Sequence, residues 1–353
     1  MFDSAPFSRF APTDYLPAIQ KAITESLAEI DHITQNPEPA TFQNTVEALA
    51  YVGLHLDRLT AMFFNLNSAE TNKTLQAEAQ RISPLLTDYS NDIRLNTPLF
   101  ERVRAVYNQR EQLSLTAEQQ TLLEKTYKGF TRNGANLSLN DKERLREIDK
   151  QLASLKLKFS ENILAETQHY LQHFTSLEPL SGLPDFVLEM LAQEAQKRLL
   201  PGWVITLDMP IYTAVMKYAD NRELRQKLFT DYHSRCAGES AFNNEDNVLR
   251  IAELRQARAA LLGYPSYAAL ALEERMAETP EKVTKFLSEL LDKAKPQALK
   301  ELEELKTFSG VADFQQWDFA YYAEKLKQER YQIDDSLLKP YLALDKAVDV
   351  CLP

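Results

Sequence analysis

Residues 169–173 read HYLQH, which sets His169 and His173 four positions apart. On an α-helix that interval stacks two imidazoles on one face, the arrangement by which an H-E-x-x-H helix holds zinc. Such a helix also needs a glutamate directly after the first histidine, to take a proton from the metal-bound water, and a third protein ligand. Tyr170 occupies the glutamate position, and a phenol with an ordinary pKa of about 10 is no base near neutral pH. The nearest upstream acid, Glu166, lies three residues before His169 and outside the motif. In an extended segment the two histidines still share a face, but at a separation of about 13 Å, too far to chelate one ion. The pair makes no zinc site in either conformation and reads as two half-exposed polar side chains.

The other residues of chemical interest converge no better. His32 and His55 sit beside apolar residues in amphipathic stretches and read as boundary histidines. His233 lies in DYHSRCAG, near Asp231 and Cys236, a loose ligand-like trio. An H-x-x-C pair alone is a weak signal, and a helix ending at Ala237-Gly238 accounts for a polar cluster there. A Cys–His nucleophile pair also needs an orienting third group and an oxyanion-binding loop, and neither is identifiable. The NNEDN run at 243–247 lacks the alternating spacing and central glycine of a calcium loop, so it is expected to cap a helix starting at 245. No G-x-G-x-x-G, G-x-x-x-x-G-K-[ST] or G-x-S-x-G pattern occurs. No residue is therefore assigned a catalytic, cofactor-binding or metal-ligating role.

The elements around these residues are mostly helical. PTDYLPAIQKAITESLAEIDHI carries Leu16, Ile19, Ile23, Leu27 and Ile30 at helical spacing behind Thr13 or Asp14 as N-cap. After a Pro-rich break, Thr41 caps a stretch whose Leu49, Leu56, Leu59 and Phe63 line one side. Amphipathic stretches come next at 70–94, 97–112, 116–132 and 140–165, the last striped by Leu145, Ile148, Leu152, Leu155, Phe159 and Ile163. At 167–175 the pattern breaks, and a connector dense in Ser, Pro and Gly leads to a short helix at 184–199. WVITL, between Gly202 and Pro210, is β-branched and aromatic and predicts a strand. A lone strand leaves its backbone groups unpaired, so HYLQHF is its expected partner. The ribbon, at about 168–175 and 203–208, is short and must pack on a helix through Leu171, Phe174, Val204, Ile205 and Leu207. Helical spacing resumes at 211–235, 245–262, 280–307 and 317–329. The expected fold is all-α, a multi-helix body with one small two-stranded hairpin, residues 1–353 forming a single helical unit.

Bulk properties narrow the functional classes. A 44% hydrophobic content supports a substantial core, while only 8 glycines are present and the 16 prolines fall mostly between apolar-periodic segments. A formal charge of −11 with no basic run argues against nucleic-acid binding, which needs a cationic surface to displace counterions. Cys236 and Cys351 lie far apart and match no C-x-x-C pattern, as expected in a reducing compartment. MFDSAPFSRF has no signal-peptide pattern, and no apolar run approaches membrane-spanning length. The expected location is cytoplasmic.

Several stretches carry a resemblance. GWVITLDMPIYTAVMKYADNRELRQKLFTDYHSR, ILAETQHYLQHFTSLEPLSGLPD, IAELRQARAALLGYPSYAALALEERMAETPEKVTKFL and WDFAYYAEKLKQERYQIDDSLLKPYLALDKAVD are similar to segments of the thimet-oligopeptidase-like zinc metallopeptidases. That group holds oligopeptidase A and peptidyl-dipeptidase, and PEPATFQNTVEAL and YKGFTRNGANLSLNDKERLREI resemble the peptidyl-dipeptidase branch. The resemblance spans nearly the whole chain and corresponds to the N-terminal half of a family member.

The resemblance implies an enzyme's wall without its chemistry. The family's zinc helix, an H-E-F-G-H sequence with a downstream glutamate ligand, belongs to the second half, and none of its metal or catalytic residues maps onto a position here. Zinc is expected in the full-length family enzyme and no cofactor in this chain. The family reading places HYLQH in a non-catalytic hairpin region and this half along one wall of a channel that admits short, unfolded peptides. The departure after DKAVD, where Val350-Cys351-Leu352-Pro353 replaces the family's continuation, reads as a truncated or frame-shifted frame or a split gene. Two functional classes are open: the inert half of an oligopeptide-cleaving peptidase, or a non-catalytic module holding peptides or a partner helix. A helical scaffold without a ligand is a third. Expected partners are short peptides or a separate catalytic half, with self-association through apolar surface after residue 280, where Phe286, Leu290, Phe319 and Tyr322 fall at helical spacing.

Overall fold

Helices begin where short polar side chains cap them. Asn72, Asn96, Thr116, Asn221 and Ser266 each lie in extended backbone, and the side-chain oxygen of each accepts the N–H three residues on, at 2.8–3.3 Å. A computed structural model of the chain describes residues 5, 7–332, 341 and 343–351. The IDDSLLKP segment of the last family-like stretch, residues 333–340, and Leu352-Pro353 lie outside the described residues.

In chain order the first helices are α1 (Tyr15–Thr34), α2 (Ala48–Ala50), α3 (Leu54–Ala69), α4 (Lys73–Arg94), α5 (Thr97–Asn108), α6 (Ala117–Thr131) and α7 (Leu139–His169). Then come strand β1 (Gln172–Phe174), α8 (Asp185–Lys197), strand β2 (Trp203–Ile205), α9 (Met209–Tyr218) and α10 (Arg222–His233). The remainder is α11 (Glu245–Leu261), α12 (Tyr267–Leu272), α13 (Pro280–Ser309), α14 (Gln316–Tyr331) and α15 (Leu344–Cys351). The fold is all-α with one small hairpin, as the sequence predicts. Among the described residues no helix is long and apolar enough to cross a membrane.

The chain divides into two compact units, 1–161 with 246–280, and 162–245 with 281–353. In the first, Leu16 and Ile19 of α1 pack with Leu56 and Phe63 of α3 and Leu75 and Ile82 of α4. A second cluster joins Ile30 and Ile33 of α1 to Leu99, Phe100 and Val103 of α5 and Phe130 of α6. The Thr41 cap is present, its Oγ1 accepting from Asn44 N at 3.1 Å, but the segment it opens is a π-helical turn, Phe42–Glu47, and not one continuous helix. Gly53 interrupts the stretch at φ +77° and donates its N–H to Glu29 Oε2 at 2.9 Å. A Cβ there would press within 2.8 Å of Tyr89 Oη and 3.0 Å of Ser26 Oγ, so a helical side chain has no room. At the start of α1, Asp14 occupies the N-cap position without capping, because its carboxylate turns back to accept Ala11 N–H at 2.9 Å.

The second unit builds its core from Val187 and Leu191 of α8, Ile205 and Leu207 around β2, Ile211 and Val215 of α9, and Leu224 and Leu228 of α10. The hairpin is antiparallel, with Gln172 opposite Ile205, His173 opposite Val204 and Phe174 opposite Trp203. It is shorter than the expected 168–175 and 203–208, because α7 runs on through His169 before the chain extends. Val204 and Ile205 are fully buried, Leu207 and Phe174 join the core, and Leu171 stays 44% exposed instead of packing.

Gly202 makes the hairpin's close approach feasible. It sits at φ +84°, and a Cβ on it would collide with the carbonyl oxygen of Phe174 across the ribbon. Gly238, at φ +62°, has open space around the same atom. Gly238→Ala is expected to cost about 1–2 kcal/mol of backbone strain. Gly202→Ala is expected to cost clearly more, because the strands must also part, and urea denaturation of the two variants measures the difference.

Candidate functional site

The structure separates the two histidines that share the HYLQH spacing. His169 ends α7, its ring edge-on to Phe242 at 6.1 Å, while His173 lies in β1 with Nε2 2.5 Å from the carbonyl oxygen of Pro201. They therefore belong to different elements, and neither the one-helix nor the one-strand arrangement forms. Tyr170 between them donates its hydroxyl to Asp231 Oδ2 at 2.6 Å. Burial and that carboxylate raise its pKa well above the usual phenol value.

The other sequence candidates are also engaged locally. His55 contacts Glu25 at 3.3 Å on the surface, and His32 is exposed. His233 Nδ1 donates to the Phe229 carbonyl at 2.8 Å and its ring lies 3.9 Å from that residue's ring. Asp231 serves Tyr170 and Lys227, so it does not face Cys236 as a partner. The Cys236 thiol is buried, and burial together with Glu166 pushes its pKa up to about 11, the opposite of an activated nucleophile. At 243–247 Asn243 Oδ1 accepts Glu245 N–H at 2.7 Å, so the run begins α11 as expected. Among the described residues no three His, Cys, Asp or Glu side chains gather as a metal site would require. Zinc of the family kind does not fit the groups present.

What the second unit does build is a charge clamp that reading the candidate residues one at a time does not reveal. Asp318, three residues past the α14 N-cap position, is fully buried. Arg222 Nε and Nη2 donate to it at 3.0 and 2.8 Å, Arg225 Nη2 at 2.9 Å, and Gln315 N–H at 3.0 Å. Arg225, 1% exposed, also donates to the Ala219 carbonyl at 2.8 Å and the Trp317 carbonyl at 3.2 Å, and its guanidinium lies 4.1 Å over the Tyr321 ring. Burial alone would raise the Asp318 pKa. The two guanidinium groups and the Gln315 N–H outweigh it, and the carboxyl is held below its ordinary range. The available signal was the i, i+3 spacing of Arg222 and Arg225 directly behind an Asn cap, facing an aspartate on a later helix.

Beside the clamp, Leu302 and Lys306 of α13 with Phe314 and Phe319 line an open groove of about 480 Å³. It is apolar at its walls and has lysine at one edge, which suits an aliphatic or aromatic side chain better than a reacting group. Further along α13, Phe286, Leu287, Leu290 and Leu291 are 53–64% exposed at helical spacing, and Leu305 is the buried residue on this 30-residue helix. Phe319 is 48% exposed, and Tyr322 is half-buried against Phe314 and Tyr321.

The described residues thus form an all-α chain with one hairpin, a buried Asp–Arg clamp and an exposed apolar row on α13. Comparison with known proteins says what such a chain is similar to. Residues 215–351 match the model of Peptidase family M3. Over 99% of its length the chain is 32% identical to oligopeptidase A of Escherichia coli, covering 52% of that protein. It is 32% identical to the dipeptidyl carboxypeptidase of the same organism, covering 51% of it, and 26% identical to saccharolysin of Saccharomyces cerevisiae, covering 48%. The chain spans about half the length of these curated relatives. The comparisons thus make it similar to one portion of M3 peptidases of the oligopeptidase A and dipeptidyl carboxypeptidase kind.

Removing one side of the clamp leaves charge uncompensated in the interior. Asp318→Asn is expected to destabilise the chain by about 3–5 kcal/mol, as breaking a buried ion pair does. Because the folded-state pKa is depressed, the carboxylate's stabilisation is complete above its unfolded value of about 4 and is lost as pH falls through the lower folded value. Urea midpoints of wild type and variant should therefore converge on acidification below that point and stay apart between pH 5 and 8.

Proposed function

We propose that this chain is the N-terminal, channel-wall portion of a zinc-dependent oligopeptidase or peptidyl-dipeptidase, and that it cleaves no peptide by itself. The observation that carries the reading is the match of 99% of the chain to about half of oligopeptidase A, in a sequence whose five histidines are never followed by glutamate. Without H-E-x-x-H there is no pair of zinc-holding imidazoles and no general base beside them. The wall's task is to hold short peptides in a cytoplasmic enzyme, and a second half bearing the zinc helix supplies the chemistry.

A second reading is favoured by the exposed row on α13 and the groove beside it: a module that binds a peptide or partner helix and does not cleave it. An amphipathic helix lays its apolar face into such a surface.

Metal analysis combined with a fluorogenic-peptide assay separates these readings. The purified chain is expected to carry far less than one zinc per molecule and to match a buffer blank with or without added zinc. Hydrolysis should appear when an H-E-x-x-H half from a relative is supplied. Tight peptide binding with no gain on adding that half supports the binding module. Stoichiometric zinc, lost on His169→Ala together with hydrolysis by the chain alone, overturns the proposal.

A further inference from the structure

Most of α13 stands in solvent on every side. Every residue from Thr284 through Glu301 is exposed, and Leu305, near the end of the helix, is its buried residue. Helices in proteins draw most of their stability from packing an apolar face, and a helix without that support is marginal in water.

The apolar residues of this stretch are nevertheless arranged for packing. At about 100° per residue, Val283, Phe286, Leu287, Leu290, Leu291 and Ala294 fall within an arc of about 140°. Phe286, Leu287, Leu290 and Leu291 are each more than half exposed. The charged side chains between Glu281 and Lys295 lie outside the arc, and Lys285 and Glu289 pair with each other there at 3.9 Å. Pro296, which lacks an N–H, also falls on the outer side.

The row is complementary to itself. A second copy of the helix can be laid against it antiparallel, with the two-fold axis passing between Ser288 and Glu289. Leu287 then meets Leu290, Phe286 meets Leu291 and Val283 meets Ala294, each of them twice. No charged residue enters the seam. The same rotation sets Glu281 level with Lys295 of the second helix at both ends of the contact. Glu281 to Lys295 holds four lysines and three acids, so this stretch is close to neutral in a chain of formal charge −11. Two copies repel through their net charge, but that repulsion is nearly absent here.

We propose that α13 is the interface of a homodimer, in which Val283–Ala294 of two copies pair antiparallel and Glu281 of each meets Lys295 of the other. A strongly cationic or acidic peptide finds no matching net charge on this stretch. A second copy supplies both the apolar pairs and the reciprocal charges. Two helices in contact over so few turns bury less than the standard interface of about 1,600 Å², so dimer and monomer exchange at micromolar concentration. The assignment concerns α13 alone and does not depend on the peptidase reading.

Sedimentation equilibrium of the full chain, from about 1 to 100 μM, tests it. A monomer–dimer equilibrium is expected. Leu287→Asp should weaken the dimer at least about tenfold while circular dichroism stays unchanged. Leu249→Asp, at an exposed leucine of α11, should leave the dimer as it was. Glu281→Lys and Lys295→Glu should each weaken it about threefold, and the two together should restore it. Within one helix these positions are about 21 Å apart, so restoration reports a contact between copies. A dimer that survives Leu287→Asp, or one that the double exchange fails to restore, overturns the assignment. A monomer at every concentration also overturns it. Should that monomer take up the H-E-x-x-H half of a relative and lose it on Leu287→Asp, the row belongs to that half instead.

Discussion

The second unit is organised around one buried carboxylate. An aspartate taken out of water loses several kcal/mol of hydration, which only well-placed donors offset. Asp318 receives them from two arginines on α10 and from the backbone ahead of its own helix. Arg225 then uses its remaining N–H groups on the carbonyls of Ala219 and Trp317, where α9 ends and α14 begins. One charge thus fixes the end of one helix and the start of two others. None of these elements can shift by a turn without leaving the carboxylate or a guanidinium unmatched.

That constraint also explains where the family resemblance is most distinctive. YADNRELR supplies the Asn221 cap, Arg222 and Arg225, and the start of WDFAYYA supplies Trp317 and Asp318, with Tyr321 under the Arg225 guanidinium. These residues have a packing role that can be stated in full without any reaction. Similarity to oligopeptidases through such stretches therefore testifies to a shared framework. The carboxylate at its centre is fully buried and met by donors of the protein itself, so what these stretches share is packing.

The fold was largely legible because apolar spacing and caps are local signals. Leu16, Ile19 and Ile30, or Leu145 and Leu152, announce their helices within a few residues, and the structure buries each of them. The strand at Trp203–Ile205 was legible from β-branching between Gly202 and Pro210. The extent of α7 was not, since nothing in TQHYLQH marks where helix yields to strand, and that boundary decides whether the two histidines share a face. The break at Gly53 depends on Tyr89 and Ser26, distant in sequence, and so leaves no local trace. The clamp joins residues 93 and 96 positions apart, a pairing that spacing along one helix cannot reveal.

Polar satisfaction is what holds the framework of this chain together. Asp318 and Lys142 are buried ionic groups whose donors or acceptors are met within the protein, and each holds elements together. Lys142 on α7 reaches the Leu95 carbonyl and Thr97 Oγ1, groups 47 and 45 positions away, so its network, like that of Asp318, is complete only once the helices have packed. Apolar spacing can therefore announce a helix locally, whereas the polar groups that fix its place among the others acquire meaning only in the assembled fold.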